Sequence, residues 1–369
     1  MDARVNLLDM TFHELETFLV QLGARPYAAR QVWQWIFQRG ATDFAGMTDL
    51  TKEMRARLAE EAAVTYPKLA DLRESRDGTA KFLLELGDGQ RIESVLIPEE
   101  DHYTLCLSSQ AGCALACAFC ATGKLGFSRN LGHGEIVSQI LVARQYLAAK
   151  SGELNLRNLV FMGMGEPLLN YDNLCSAIES IRHPQGLNIS SRRITVSTAG
   201  VADKLAAFGR LGMASLAVSL HAPTQELRKH IMPRAAEAWP LPALIEALRA
   251  YPLKARDRIT FEYIMLDGVN DSPEQARQLV RLLAPLKAKI NLIAANPSPD
   301  MPFAPTPRER IEAFQNQLKD KGLTTTLRKS KGADIAAACG QLRAESGGDQ
   351  GAPPLGTPPG GVTPPGPPR

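Results

Sequence analysis

"GCALACAFCATG", residues 112–123, places Cys113, Cys117 and Cys120 within eight consecutive positions before the chain turns to small residues. Thiolates three and four residues apart converge only if the backbone wraps what they bind, so this C-x3-C-x2-C spacing points to a metal or a cluster. A structural zinc site wants a fourth Cys or His nearby, as a second C-x2-C or an H-x3-H pair. None follows, and the next histidine, His133, stands alone. An iron–sulfur cube can be held by thiolates on three irons while its fourth iron takes another ligand, which leaves a place for chemistry. The competing readings are zinc and three small buried hydrophobes that happen to be cysteines.

The chain after this loop supplies a fold for it. Apolar, strand-like runs at 104–108, 158–162, 193–197, 214–219, 259–265 and 289–294 are separated by helical stretches such as 134–149 and 272–285. Six such units imply an α/β fold, a parallel sheet curled into a partial, TIM-like (β/α)6 barrel over residues 99–345. In parallel barrels the loops after the strands emerge on one face, and that face holds the active site. The cysteine loop follows the first strand, "GMGEP" (163–167) the second, "STAG" (197–200) the third, "SLHAP" (219–223) the fourth and "AANP" (294–297) the sixth. Polar and glycine-rich patches therefore converge on one mouth.

Upstream, residues 11–62 read as helices: Thr11 is an N-cap with Glu14 three positions later, Gly23 ends the run, and Pro26 opens "PYAARQVWQWIFQRG". That second helix mixes Trp33, Trp35 and Phe37 with Arg25, Arg30 and Arg39, which could grip RNA or, more commonly for tryptophans, form core. A helical accessory domain over 1–80 is expected, a candidate for RNA binding. "KFLLELGDGQRIESVLIP" (81–98) reads as a β-hairpin linker turning at Gly87-Asp88-Gly89. Residues 346–369 hold eight prolines and seven glycines, too little apolar material to pack, so a disordered tail is expected there.

Across 369 residues, 44% are hydrophobic and the net charge is +3, which permits a polyanionic partner without requiring one. Six cysteines concentrated around one loop do not resemble a secreted disulfide framework, and a reducing cytoplasm fits them best. No stretch approaches eighteen uninterrupted apolar residues and the N-terminus lacks an apolar targeting core, so no membrane association is expected.

C-x3-C-x2-C with Phe119 between its last two cysteines, followed after the next strand by a G-x-G-E-P turn, resembles the radical SAM superfamily. "TLCLSSQAGCALACAFCATGKLGFSRNL" (104–131), "FMGMGEPLLN" (161–170), "VSTAG" (196–200), "AVSLHAP" (217–223), "RITFEYIMLDGVND" (258–271) and "ADIAAACGQL" (333–342) narrow the likeness to the RlmN/Cfr family of adenine RNA methyltransferases. The resemblance runs from about residue 5 to 343. It implies a radical SAM barrel, a 4Fe-4S cluster on Cys113, Cys117 and Cys120, and S-adenosyl-L-methionine used twice per turnover.

The resemblance also implies a reaction at carbon 2 of a specific adenine in 23S rRNA and in tRNA. That carbon is electron-poor and cannot attack the methyl group of SAM, but a carbon radical can add to it. One SAM would methylate Cys339; a second, cleaved at the cluster, would generate a radical on that methyl, which adds to the base. Release of the adduct would need Glu93 to take the ring proton and Cys106 to resolve the link through a transient disulfide. SAM contacts carried over are Gly165, Glu166, Ser197, Ser219, Leu220, His221 and Asn296. From the residues alone Cys106 reads as a buried strand residue, His221 as a satisfied barrel histidine, and Cys339 is undecided; Cys175 reads as core. The sequence departs from the family at Ala294 and Ala295, where bulkier residues are common, and at Asp300 in the next loop. Methylation at carbon 8 of the same adenine and a noncatalytic iron–sulfur RNA-binding protein are the alternatives. A monomer and a flavodoxin-like reductant are further expectations.

Overall fold

The computed structural model describes residues 4–152, 155–296 and 301–345. The tail at 346–369 and Asp300 lie outside the described residues.

A ten-stranded sheet organises the molecule. Its strands in chain order are β1 (Lys68–Glu74), β2 (Ala80–Glu85), β3 (Arg91–Pro98), β4 (Tyr103–Cys106), β5 (Leu156–Phe161), β6 (Ile194–Thr198), β7 (Ser215–Ser219), β8 (Ile259–Met265), β9 (Ala288–Ala294) and β10 (Thr324–Arg328). Spatial order follows chain order, and β4 to β10 run mutually parallel, each joined to the next by a crossover as expected for successive βα units. The six expected parallel strands are all present to within two or three residues at their ends.

A seventh parallel strand, β10, completes the row. Its sequence "TTTLR" carries one aliphatic residue in five, so it shows no apolar run. Threonine nevertheless suits a half-covered edge strand, where its branched Cβ packs on the pleat.

The expected helical segment 1–80 and hairpin linker 81–98 need correction. The helices end at Glu61, and Lys68–Glu74 is the outer strand of the sheet, antiparallel to β2. A β-bulge between Leu69 and Asp71 breaks the two-residue alternation that would have marked it in sequence. The hairpin β2–β3 exists, but β3 pairs directly with β4, Val95 opposite Cys106, so it is part of the sheet rather than a tether.

Local signals at the N-terminus are realised. Helix α1 (Phe12–Gln21) starts in a capping box: the Thr11 hydroxyl accepts from the Glu14 N–H, while the Glu14 carboxylate accepts from the Thr11 N–H at 2.7 Å. Helix α2 (Tyr27–Phe37) buries Trp33 completely, against Phe12 at 5.5 Å, Phe37 at 4.1 Å and His183 at 5.5 Å between ring centroids. His183 follows the barrel helix 171–182, and Gln34 donates to Gln185 at 2.7 Å, so the helical piece is docked on the barrel through this aromatic cluster. Trp33 is therefore core, whereas Trp35 is half-buried under the guanidinium of Arg39, 4.0 Å from its ring.

Trp33→Ala should cost about 3–5 kcal/mol, since it removes a fully buried indole from a packed aromatic cluster. Urea unfolding checks this; a change below about 1 kcal/mol would show that the docking does not depend on Trp33.

Candidate active site

The parallel strands deliver their following loops to one rim, where a cavity is lined by residues from Val95 to Leu342. Cys113, Cys117 and Cys120 line it, together with Cys106, Gly165, Glu166, Ser197, Ser219, His221 and Cys339.

The cysteine loop is shaped by its backbone. Gly112, at φ +77°, leaves room for the carbonyl of Gly126, which a Cβ would meet at 2.0 Å, and the Cys113 N–H donates to that same carbonyl at 2.7 Å. Farther on, the N–H groups of Ala118 and Ala121 donate to Ile231 O and Gly340 O at 2.9 and 2.7 Å. Arg228, fully buried, braces the far wall by donating to the carbonyls of Ala199 and Trp239.

Burial pushes the thiol of Cys113 up to about 11, and burial with neighbouring negative charge, including each other's, raises Cys117 well above its usual range; Cys120 is also raised by burial. Such thiolates form only with a cation among them, so the set fits a cationic metal centre. Among the described residues no three His, Cys, Asp or Glu side chains close onto the point a single ion needs, whereas these three share the wall of one cavity.

Glu166 sits beside them on the turn after β5. Its Oε2 accepts from Ala199 N–H at 2.6 Å, its Oε1 from Leu168 N–H at 3.1 Å, and its own N–H donates to Gln110 at 2.8 Å. Burial raises its pKa to about 7 against the pull of those donors. Gly165, at φ +98°, brings the backbone so close that a Cβ would meet Gln110 Cβ at 2.5 Å. The result is an acidic group beside a stretch of backbone that carries no side chain at Gly165, suited to an ammonium ligand.

Opposite lie Ser197 and Ser219, their hydroxyls 3.5 Å apart, and His221. His221 holds φ +58°, a left-handed conformation fixed by the buried Asn270, which donates to the carbonyls of His221 and Ile264 at 2.8 and 2.6 Å. Its Nδ1 accepts from Ile264 N–H at 3.0 Å, which assigns the ring proton to Nε2. Burial first, then the charge of Arg228, pushes its pKa down to about 3, so the ring is a neutral donor. Phe119 meets it edge-on at 4.8 Å.

Two expected contacts are placed differently. Leu220 is fully buried in the core, with its N–H donated to Glu262 O, and does not line the cavity. Asn296 lies behind the wall, its Nδ2 donating to Cys339 O at 3.4 Å.

Cys106, the last residue of β4, and Cys339, in the loop after 333–335, reach the same cavity from distant parts of the chain. Burial, and then the nearby Cys339, push the Cys106 thiol up to about 12. Arg328, at the end of β10, lines the cavity with both; its charge is favoured first by Cys339, then by Glu262 and Cys106. Neither Arg328 nor Glu262 stood out in the sequence. The strand bearing Arg328 has no apolar signature, and Glu262 sits inside an ordinary β-run. Glu93 lies on β3 on the same face as Val95 and Ile97, which line the cavity, but is itself just behind it. Cys175 packs half-buried against the core, away from the site.

The profile of the radical SAM superfamily matches residues 107–280, and that of the ribosomal RNA large subunit methyltransferase N-terminal domain matches residues 5–64. A radical SAM methyltransferase from Sphaerobacter thermophilus superposes with a TM-score of 0.87 at 42% identity, over 92% of this chain and 100% of its own. Fold and cysteine loop together define a radical SAM enzyme.

Proteins named dual-specificity RNA methyltransferase RlmN are similar over nearly the whole chain. That of Solidesulfovibrio magneticus is 61% identical, covering 93% of this chain and 98% of its own; that of Geobacter sulfurreducens is 48% identical, covering 93% of each. The chain belongs to the RlmN family of radical SAM RNA methyltransferases.

At about pH 8 a thiol with the pKa of Cys106 is ionised only about one part in ten thousand, roughly a thousandfold less than an unshifted thiol. Cys106 in the native protein should therefore alkylate with iodoacetamide at least a hundredfold more slowly than in denaturant, the rate rising with pH. Peptide mass spectrometry after timed labelling measures this; equal rates would contradict the burial of its thiol.

Proposed function

We propose that this chain methylates carbon 2 of an adenine in 23S rRNA and in tRNA, with Cys339 as methyl carrier, Cys106 as resolving thiol and Glu93 as proton acceptor. The observation that carries the reading is the presence of Cys106 and Cys339 on the cavity that the three loop cysteines line. A protein that only bound RNA has no use for two further thiols there.

Cys113, Cys117 and Cys120 would hold the 4Fe-4S cluster, and reductive cleavage of S-adenosyl-L-methionine at it supplies the hydrogen-abstracting radical. Glu166 receives the ammonium of that ligand, the backbone at Gly165 allows close approach, and Ser197, Ser219 and the Nε2–H of His221 bond its polar groups. Asn296 acts through the carbonyl of Cys339, fixing the carrier. Leu220 contributes packing beneath His221.

The adenine must lie between Cys339 and Glu93, within reach of Cys106. Exposed Arg25, Arg30 and Arg39, the last stacked on Trp35, give the N-terminal helices an RNA-facing surface. A small reduced protein such as flavodoxin supplies the electron, and the enzyme works as a monomer. All six cysteines are free, and a reducing cytoplasm keeps Cys339 available for methylation. Among the described residues no helix is long and apolar enough to cross a membrane.

Serine at Cys113, Cys117 or Cys120 should abolish both cluster assembly and reductive SAM cleavage in anaerobically reconstituted protein. Retained cleavage in all three variants would end the radical reading.

Carrier and resolver separate by the order of covalent steps. Cys339→Ala has no sulfur to methylate and should neither turn over nor trap RNA. Cys106→Ala keeps the carrier but cannot cut the link, and should accumulate RNA covalently bound to protein. A denaturing gel with labelled RNA reads both. Methylation by Cys339→Ala, or normal turnover by Cys106→Ala with nothing trapped, would show these assignments to be wrong.

A further inference from the structure

Glu93 is 1% exposed. Its Oε1 lies 2.8 Å from Nζ of Lys81, which is itself only 5% exposed, and its Oε2 accepts from the N–H of Arg343 at 2.8 Å. Lys81 also donates to the carbonyl of Ala336 at 3.2 Å. Ala336 and Arg343 stand on either side of Cys339 in the chain, so one ammonium touches both the carboxylate and the loop that carries the thiol.

The sheet explains the meeting. Lys81 on β2 pairs with Val95 on β3, and Glu93 is two residues earlier on the same face, a diagonal neighbour. Val95 is in turn opposite Cys106. The ion pair thus sits one step along the face from the second thiol and from the cavity wall. A carboxylate so deeply buried keeps its charge only when a cation and hydrogen bonds compensate it, and removing one partner leaves the other charge unpaired. The one backbone N–H of Arg343 does not replace a full positive charge.

We propose that Lys81 is a positioning residue for release of the product: its ammonium pairs with the Glu93 carboxylate, and its bond to Ala336 sets that carboxylate against the loop of Cys339. The proposal rests on the reading of Glu93 as proton acceptor. In that step the C2–H bond of the adduct breaks, its proton passes to a Glu93 oxygen, and the electron pair stays with the ring; Glu93 becomes a neutral carboxylic acid beside Lys81. Without the ammonium, Glu93 loses its cationic partner and its tie to the Cys339 loop, and is no longer held where it can take the ring's proton. RNA is then joined to Cys339 but not released.

The test uses the full chain, loaded with cluster and SAM, as Lys81→Gln, Lys81→Arg and Glu93→Gln, each incubated with labelled RNA. A denaturing gel measures covalent RNA, and mass spectrometry measures the methyl group on Cys339. Lys81→Gln should methylate Cys339 normally yet accumulate at least tenfold more covalent RNA than the unaltered protein, as Glu93→Gln does; Lys81→Arg, which keeps the charge, should restore release. A purely structural role would instead leave Cys339 unmethylated and trap nothing in Lys81→Gln, and that result overturns the proposal. So does free turnover by Lys81→Gln while Glu93→Gln traps RNA. Free turnover by Glu93→Gln removes the reading of Glu93, and the proposal with it. If Lys81→Gln does not fold, Lys81→Arg decides: it must turn over without trapped RNA, and a folded Lys81→Arg that traps RNA overturns the assignment.

Discussion

Neighbouring strands that run parallel must each end on the same rim, and the chemistry of this protein depends on that constraint. From β4 to β10 no strand reverses, so the cysteine loop, the Glu166 turn, the Ser197 and Ser219 strand ends, His221 and Arg328 all reach one cavity although hundreds of residues of chain separate the first from the last. The antiparallel strands β1 to β3 add what the parallel ones cannot, a wall that continues the sheet past β4 and places Lys81, Glu93 and Val95 beside Cys106.

Burial then sets the electrostatics. Water is largely kept from the cavity wall, so each ionisable group there must find a partner or lose its charge. Glu166 is held between the two outcomes, with two backbone N–H donors pulling its pKa down and burial pushing it up to about 7. His221 is driven fully to the neutral side. Arg228, lowered by burial to about 10 and so still cationic near neutral pH, donates to the carbonyls of Ala199 and Trp239, and in doing so fixes the backbone of Ala199 that bonds Glu166. Glu166 and Arg228 are thus mechanically linked through Ala199, while His221 is held separately by Asn270 and Ile264.

The parts legible in sequence were those that depend on short-range pattern. The three-cysteine loop announces itself by spacing, the βα units by apolar runs, and the first helix by Thr11 and Glu14. Trp33 was ambiguous because an aromatic on an amphipathic helix looks the same whether it faces RNA or core; only the docking partner, His183, decides. The strand Lys68–Glu74 was hidden by its bulge and β10 by its threonines, and with β10 went Arg328. Lys81 had no signal of any kind: "AKFLLEL" reads as an ordinary strand, and the residue gains its meaning from a register that puts it diagonal to Glu93. The thiols Cys106 and Cys339 were legible only through resemblance, since nothing local connects two cysteines so far apart.

The position of Cys339 follows from contacts that lie outside its own loop. Residues 332–343 contain a single short helical turn and three positions at positive φ, Gly332, Ala336 and Gly340, so the segment has little internal structure to hold it. It is held instead by Asp77, whose carboxylate accepts from Gly332 N–H at 3.0 Å, by Ser75 donating to Asp334 at 2.6 Å, and by Lys81 on Ala336. On the other side Ala121 N–H bonds Gly340 O at 2.7 Å, Thr122 donates to Leu342 O at 2.8 Å, and Glu93 accepts from Arg343. Four of these six partners, Ser75, Asp77, Lys81 and Glu93, come from the antiparallel hairpins, and two, Ala121 and Thr122, from the segment directly following Cys120. Cys339 is thereby tethered at once to the loop of Cys120 and to the strands that carry Lys81 and Glu93. This gives the antiparallel extension of the barrel a physical reason to exist: it carries most of the clamp on the segment that holds Cys339.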